Sequence, residues 1–152
     1  MIEEIIKELG YKLPELPTPI AAYIPGYRVG NLIMTSGQIP MLGGELKFKG
    51  KLGKDLFEGD GKKAAEICAL NCLAVVKSIC GDLDKVERII KLTVYVNSDD
   101  EFTNQPEVAN GASELLVNIF GSYGKHVRAA IGVNALPRDA SVEIEMIVKV
   151  KN

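Results

Sequence analysis

The chain has 152 residues, 47% hydrophobic and 25% charged, with a net charge of −2. That length fits one domain with a sizeable core, and the composition is ordinary for a globular protein. It excludes a membrane-spanning helix, because no stretch approaches the ~20 apolar residues needed, and it argues against a nucleic-acid binder, which shows a basic excess or stripe.

Apolar residues Ile2, Ile5, Ile6 and Leu9 recur at helical spacing, and Gly10 stops that helix. A proline-rich connector follows (Pro14, Pro17, Pro19), which cannot continue a helix and should run extended. Two strands are expected next, Ala21 to Arg28 and Leu32 to Ser36, joined by a Gly30-Asn31 turn. Met41 to Gly59 reads as a loop with a short hairpin around Glu45 to Phe48. Its basic stretch, Lys47 to Lys54, is interleaved with glycines and followed by Asp55 and Glu58, so it reads as solvated.

Asp60 is the expected N-cap of a long helix from Gly61 to Cys80, which Gly81 ends. Its wide apolar stripe would lie flat on a sheet. Leu83 to Asn97 turns β-rich, with Ile89, Ile90, Leu92, Val94 and Val96. After a loop at Asp99 to Thr103, a second helix runs from Glu107 to Phe120. Val127 to Asn134 and Ser141 to Lys149 are the last two strands, separated by the turn-rich Leu136-Pro137-Arg138-Asp139. Two long helices covering one face of a mixed sheet make a single α+β domain over residues 1–152.

The three cysteines, Cys68, Cys72 and Cys80, all fall in the first long helix. Cys68 and Cys72 are one turn apart, but a zinc site needs about four ligands and the single histidine, His126, is distant. They read as small core residues. The opening Met1-Ile2-Glu3-Glu4 has neither a basic segment nor an apolar run, so no secretion signal is expected. Free cysteines then fit a reducing cytoplasm.

In the last two strands, Val127, Ala129, Ile131 and Val133 share one parity, as do Val142, Ile144, Met146 and Val148. The other parity carries His126, Arg128, Ala130, Gly132 and Asn134, then Glu143 and Glu145. If these strands form a hairpin, Arg128 and Glu143 share a face. A guanidinium can grip a carboxylate with two hydrogen bonds, and a nearby carboxylate can orient a water and take its proton. Spacing alone favours a cross-strand salt bridge of little consequence, worth ~0–1 kcal/mol if exposed, and Glu145 has Glu143's parity. Gly37, after the second strand, would let backbone N–H groups approach a ligand. Tyr23 could stack on one. Asn110-Gly111 is odd inside a helix and marks a helix start or a bend toward a pocket. His126 is a candidate acid–base group or a structural histidine. No nucleophile triad, P-loop, dinucleotide fingerprint or metal cluster is readable.

Tyr23-Ile24-Pro25-Gly26 and Gly30-Asn31-Leu32-Ile33-Met34-Thr35-Ser36-Gly37-Gln38-Ile39-Pro40 resemble the N-terminal signature of the YjgF/RidA family. Arg128-Ala129-Ala130-Ile131-Gly132-Val133, Leu136-Pro137 and Val142-Glu143-Ile144-Glu145 resemble its C-terminal signature. The likeness spans about residues 17–150. It implies a chorismate-mutase-like α+β fold, assembled as a homotrimer with ligands bound between subunits. It further implies hydrolysis of enamine and imine intermediates such as 2-aminoacrylate to 2-keto acids and ammonia, without a metal or organic cofactor. By position, Arg128 matches the arginine that grips the substrate carboxylate and Glu143 the glutamate of water activation. Tyr23, Ser36, Gly37 and Asn110 match pocket-lining positions. The chain departs from the pattern at Ala130, where deaminase-type members often carry cysteine, and in its helix over residues 1–10. The expected partner is a small carboxylate-bearing metabolite, with no nucleic acid and no membrane. Two other functions fit the same likeness: a non-catalytic sensor of small carboxylates, and an RNA-cleaving or protein-interacting member.

Overall fold

The strand–helix–strand order in the second half of the chain sets the architecture. A computed structural model describes residues 1–17 and 20–152; Pro19 of the connector lies outside them. Helix α1 spans Ile2–Glu8, and α2 and α3 span Glu58–Cys80 and Gln105–Phe120. The strands are β1 (Gly26–Val29), β2 (Leu32–Thr35), β3 (Met41–Leu42), β4 (Glu45–Leu46), β5 (Val86–Asn97), β6 (Val127–Val133) and β7 (Val142–Val150). Five of them form a mixed sheet in the order β1-β2-β7-β5-β6, while β3 and β4 pair separately. β5 and β6 are parallel, with α3 as their crossover, and the other sheet neighbours are antiparallel.

The expected hairpin between the last two strands does not form, because β5 lies between them. The parallel β5–α3–β6 crossover leaves β6 on the sheet edge, and β7 returns on the far side of β5. This changes the faces. Register pairs Leu92 with Arg128 and Val94 with Ala130, so Arg128 shares the side of the buried residues of β5. Lys91, Thr93 and Tyr95 pair with Val127, Ala129 and Ile131 on the opposite, open side. Glu143 and Glu145 are on that open side too, across from Tyr95 and Thr93. The expectation that Arg128 and Glu143 share a face is therefore overturned. The apolar side of β6 also faces outward, since Val127 and Ile131 are 65% and 43% exposed.

Both long helices cover the other side. Cys68, Cys72, Leu73 and Val76 of α2, and Ala112 and Leu116 of α3, join Leu92, Val94, Ile144, Met146 and Val148 in one apolar core. Burial of such side chains contributes roughly 1.5–3 kcal/mol each. Cys68 and Cys72 point their thiols at the carbonyls of Val142 and Ile144, 3.6 and 3.4 Å away. Burial pushes both thiols up, Cys72 to about 12, so they remain protonated core groups.

Other boundaries move for local reasons. The strand expected from Ala21 shrinks to Gly26–Val29, because its partner, β2, ends at Thr35 opposite Gly26. The short hairpin is Met41–Leu46, turning on Gly43 and Gly44, both left-handed at φ 62° and 77°. Helix α2 starts at Glu58 after N-cap Phe57. Asp60 sits in the first turn instead, where its carboxylate accepts the Phe57 N–H at 3.0 Å.

Gly111 does not mark a helix start. It sits inside α3, where an added Cβ would lie 2.2 Å from the carbonyl oxygen of Lys62 in α2. The two helix backbones touch there. In an open helix, Gly→Ala gains about 1 kcal/mol. Here the sign should reverse: Gly111→Ala is expected to cost roughly 2–4 kcal/mol in urea unfolding, since neither backbone can yield without repacking the core.

Candidate functional site

The sequence-predicted residues separate into two clusters. The first surrounds Glu143, on the open side of β7. Beyond Thr35 the chain leaves the β2 ladder but stays beside β7, where Gln38 and Ile144 exchange backbone hydrogen bonds of 2.8 and 3.0 Å. That bridge brings Gly37 beneath Glu143. A Cβ at Gly37 would lie 2.7 Å from Glu143 Oε2 and 2.8 Å from its Cδ, so a side chain there would push the carboxylate from its place. Ser36 is fixed beside it. Its N–H donates to the Pro25 carbonyl at 2.7 Å, and its hydroxyl accepts from Gln38 Nε2 at 3.2 Å. Tyr23, two residues before Pro25, is 62% exposed on a bend rather than on a strand.

Glu143 is half-buried, and desolvation, aided by the negative charge of Glu145, holds its carboxyl above the ordinary range. Glu145 is engaged elsewhere, since its Oε1 accepts from the Tyr95 hydroxyl at 3.2 Å. The structure thus separates two glutamates that spacing could not. Glu145 is tied to Tyr95, while Glu143 lies over the Ser36-Gly37 turn with no hydrogen-bond partner among the described residues.

The second cluster sits at the sheet edge, where β6 faces α3. Arg128 Nη1 donates to Asn110 Oδ1 at 2.8 Å and to Ser113 Oγ at 3.1 Å. These two bonds use both hydrogens of Nη1. Nε and Nη2 have no partner among the described residues, and no carboxylate there lies within salt-bridge distance. His126 stands behind Ser113. Its Nε2 is 2.9 Å from Ser113 Oγ, and its Nδ1 is 2.7 Å from the Gly124 carbonyl oxygen. Desolvation lowers the pKa of His126, the Arg128 charge lowers it further, and the Gly124 hydrogen bond partly opposes both.

Asn110 therefore belongs with Arg128, and Ser36 and Gly37 with Glu143, while Tyr23 makes no hydrogen bond to either cluster among the described residues. Ser113 is a site residue that the sequence reading does not single out. Its position one helical turn beyond Asn110 was the available signal. The clusters are apart in one chain. Arg128 aligns with Leu92 and Glu143 with Tyr95, three residues along and two strands across, so their Cα atoms are roughly 14 Å apart. Their side chains point to opposite faces. A shallow depression on the open face, lined by Met34, Lys91, Thr93, Glu145 and Ile147, contains neither residue.

Residues 3–148 match the family described as "YjgF/chorismate_mutase-like, putative endoribonuclease". The protein TCP17 of Trypanosoma cruzi is 41% identical over 150 residues, covering 97% of this chain and 92% of that protein. The 2-iminobutanoate/2-iminopropanoate deaminase of Escherichia coli K12 is 30% identical over 131 residues, 86% of this chain and 89% of that one. Among solved structures, the protein Atu1372 of unknown function from Agrobacterium tumefaciens superposes with a TM-score of 0.92. It is 45% identical, and the match covers 99% of this chain and 94% of that one. The structure of E. coli TdcF with bound serine gives 0.66 at 25% identity, covering 93% and 99%. The fold, the two signatures and these similarities agree: the chain belongs to the YjgF/chorismate-mutase-like family.

Proposed function

We propose that this chain hydrolyses reactive enamine and imine intermediates of the 2-aminoacrylate type to 2-keto acids and ammonia, in clefts completed between the subunits of a homotrimer. The observation that carries the reading is the open Nε–Nη2 edge of Arg128. An exposed arginine held by one nitrogen, with its two-donor edge unpaired, suits a carboxylate gripped by two parallel hydrogen bonds. A family member that bears a deaminase name and another solved with serine bound support a small carboxylate as the ligand.

The chemistry asks little of the protein. The enamine tautomerises to the imine, whose carbon is electrophilic. Glu143 takes a proton from water as the water oxygen bonds to that carbon, and passes it to the nitrogen as the C=N π electrons move there, which restores the carboxylate. The resulting carbinolamine expels ammonia and leaves the keto acid. Positioning of substrate and water can supply much of the acceleration. A carboxylate with a raised pKa is a better base than an ordinary one.

Arg128 and Glu143 of one chain point to opposite faces, so on this reading each site takes Arg128 and Asn110 from one subunit, and Glu143, Ser36, Gly37 and Tyr23 from its neighbour. The open sheet face supports assembly. Tyr27, Val29, Leu32 and Met34 at one edge of that face are 61%, 54%, 39% and 40% exposed, and Val127 and Ile131 at the other edge are 65% and 43% exposed. Sedimentation should give a trimer mass, and a monomer at working concentration would overturn the assembly. The reaction is tested by release of keto acid from enzymatically generated 2-aminoacrylate. Acceleration lost in Arg128→Ala is expected. No acceleration by a folded wild-type trimer that still binds keto acid would leave a carboxylate-binding protein instead.

A further inference from the structure

We propose that His126 is a positioning residue for Arg128, acting through the hydroxyl of Ser113. The inference rests on the reading that Arg128 grips the substrate carboxylate. A carbonyl only accepts, so Nδ1 of His126, 2.7 Å from Gly124 O, carries a proton. In the neutral ring Nε2 is then an acceptor. At 2.9 Å it takes the single hydrogen of Ser113 Oγ. With that hydrogen committed, the serine oxygen turns a lone pair to Arg128 Nη1, 3.1 Å away. Asn110 Oδ1 takes the other Nη1 hydrogen at 2.8 Å. Two acceptors on one nitrogen fix the guanidinium plane and aim its free Nε–Nη2 edge outward.

The start of this chain is rigid. Gly124 ends a short 3₁₀ turn, Gly121–Gly124, and a Cβ there would lie 2.2 Å from the Leu116 carbonyl oxygen of α3. The turn is therefore clamped on the helix that carries Asn110 and Ser113, and its carbonyl holds the imidazole at a set distance from both. Without His126, a serine inside a helix would bond back to a carbonyl one turn earlier, and its oxygen would no longer be committed to the arginine. Burial and the Arg128 charge both favour neutral His126, the form this arrangement needs.

His126→Leu keeps bulk but loses the acceptor, whereas the side-chain oxygen of His126→Gln can take the place of Nε2. Two measurements are made at neutral pH on trimeric protein: steady-state kinetics with 2-aminoacrylate, and calorimetric binding of pyruvate, the keto-acid product. His126→Leu and Ser113→Ala are each expected to raise KM and the pyruvate Kd about tenfold, the scale of one hydrogen bond to a charged group, with kcat changed by less than about twofold. His126→Gln should recover most of that loss. Wild-type affinity in His126→Leu, equal damage in the Leu and Gln variants, or a loss confined to kcat would each overturn the inference. If the wild type binds pyruvate without turning over 2-aminoacrylate, the deaminase reading fails and the Kd series alone decides the role of His126. If it binds no pyruvate, both fail.

Discussion

Arg128→Ala is expected to lower kcat/KM for 2-aminoacrylate by roughly 100-fold or more, most of it through KM. On the proposed reading the guanidinium offers its free edge to a substrate group that does not react, so its grip is similar in ground state and transition state. The loss should therefore appear first as weak binding, and the pyruvate Kd should rise with KM. Arg128 is exposed and makes no salt bridge among the described residues, so the melting temperature should barely move. Arg128→Lys should not rescue, because an ammonium cannot reproduce the two-donor edge.

Glu143→Gln should have the opposite signature. The amide retains the shape over Gly37 but cannot take a proton from water. An expected fall in kcat of about 10²–10⁴-fold, with the pyruvate Kd within about twofold of wild type, is the mark of a general base. The pH profile tests the same group. Glu143 must be ionised to act, so activity falls as pH drops through its pKa. Desolvation and Glu145 raise that pKa, so the acidic limb should lie above the ordinary carboxylate range. Glu145→Gln removes the neighbouring negative charge and should shift the limb to lower pH. A limb that Glu143→Gln leaves in place would belong to another group.

Much of the fold was legible because period and punctuation agree over long elements. The helix before Gly81, the β-rich run ending at Asn97 and the helix before Gly121 all form within a few residues of their expected bounds. The face of Arg128 was not legible. Parity within β6 is real, but which parity is buried depends on the neighbouring strand. The apolar run Val127, Ala129, Ile131 reads as core, yet on an edge strand it faces the open side. The strand–helix–strand order 86–97, 105–120, 127–133 carried the missing signal, since a helical crossover makes its two strands parallel.

The residues of the candidate site were legible one by one, but not in their grouping. Ser36-Gly37-Gln38 and Glu143 meet only because Gln38 bridges to Ile144, more than a hundred residues away in the chain. Asn110 and Ser113 reach Arg128 because α3 packs over β6. Gly111 looked like a helix defect because its reason lies in another helix, at the Lys62 carbonyl.

The central claim, that each site takes its arginine from one subunit and its glutamate from the next, is tested most directly by mixing two inactive variants. Arg128→Ala and Glu143→Gln are unfolded together, refolded and compared with each variant treated alone. Random assembly leaves about one interface in four with both residues intact, so about a quarter of wild-type activity per site should return. A mixture that forms trimers yet is no more active than its components would contradict the account and put Arg128 and Glu143 in separate roles.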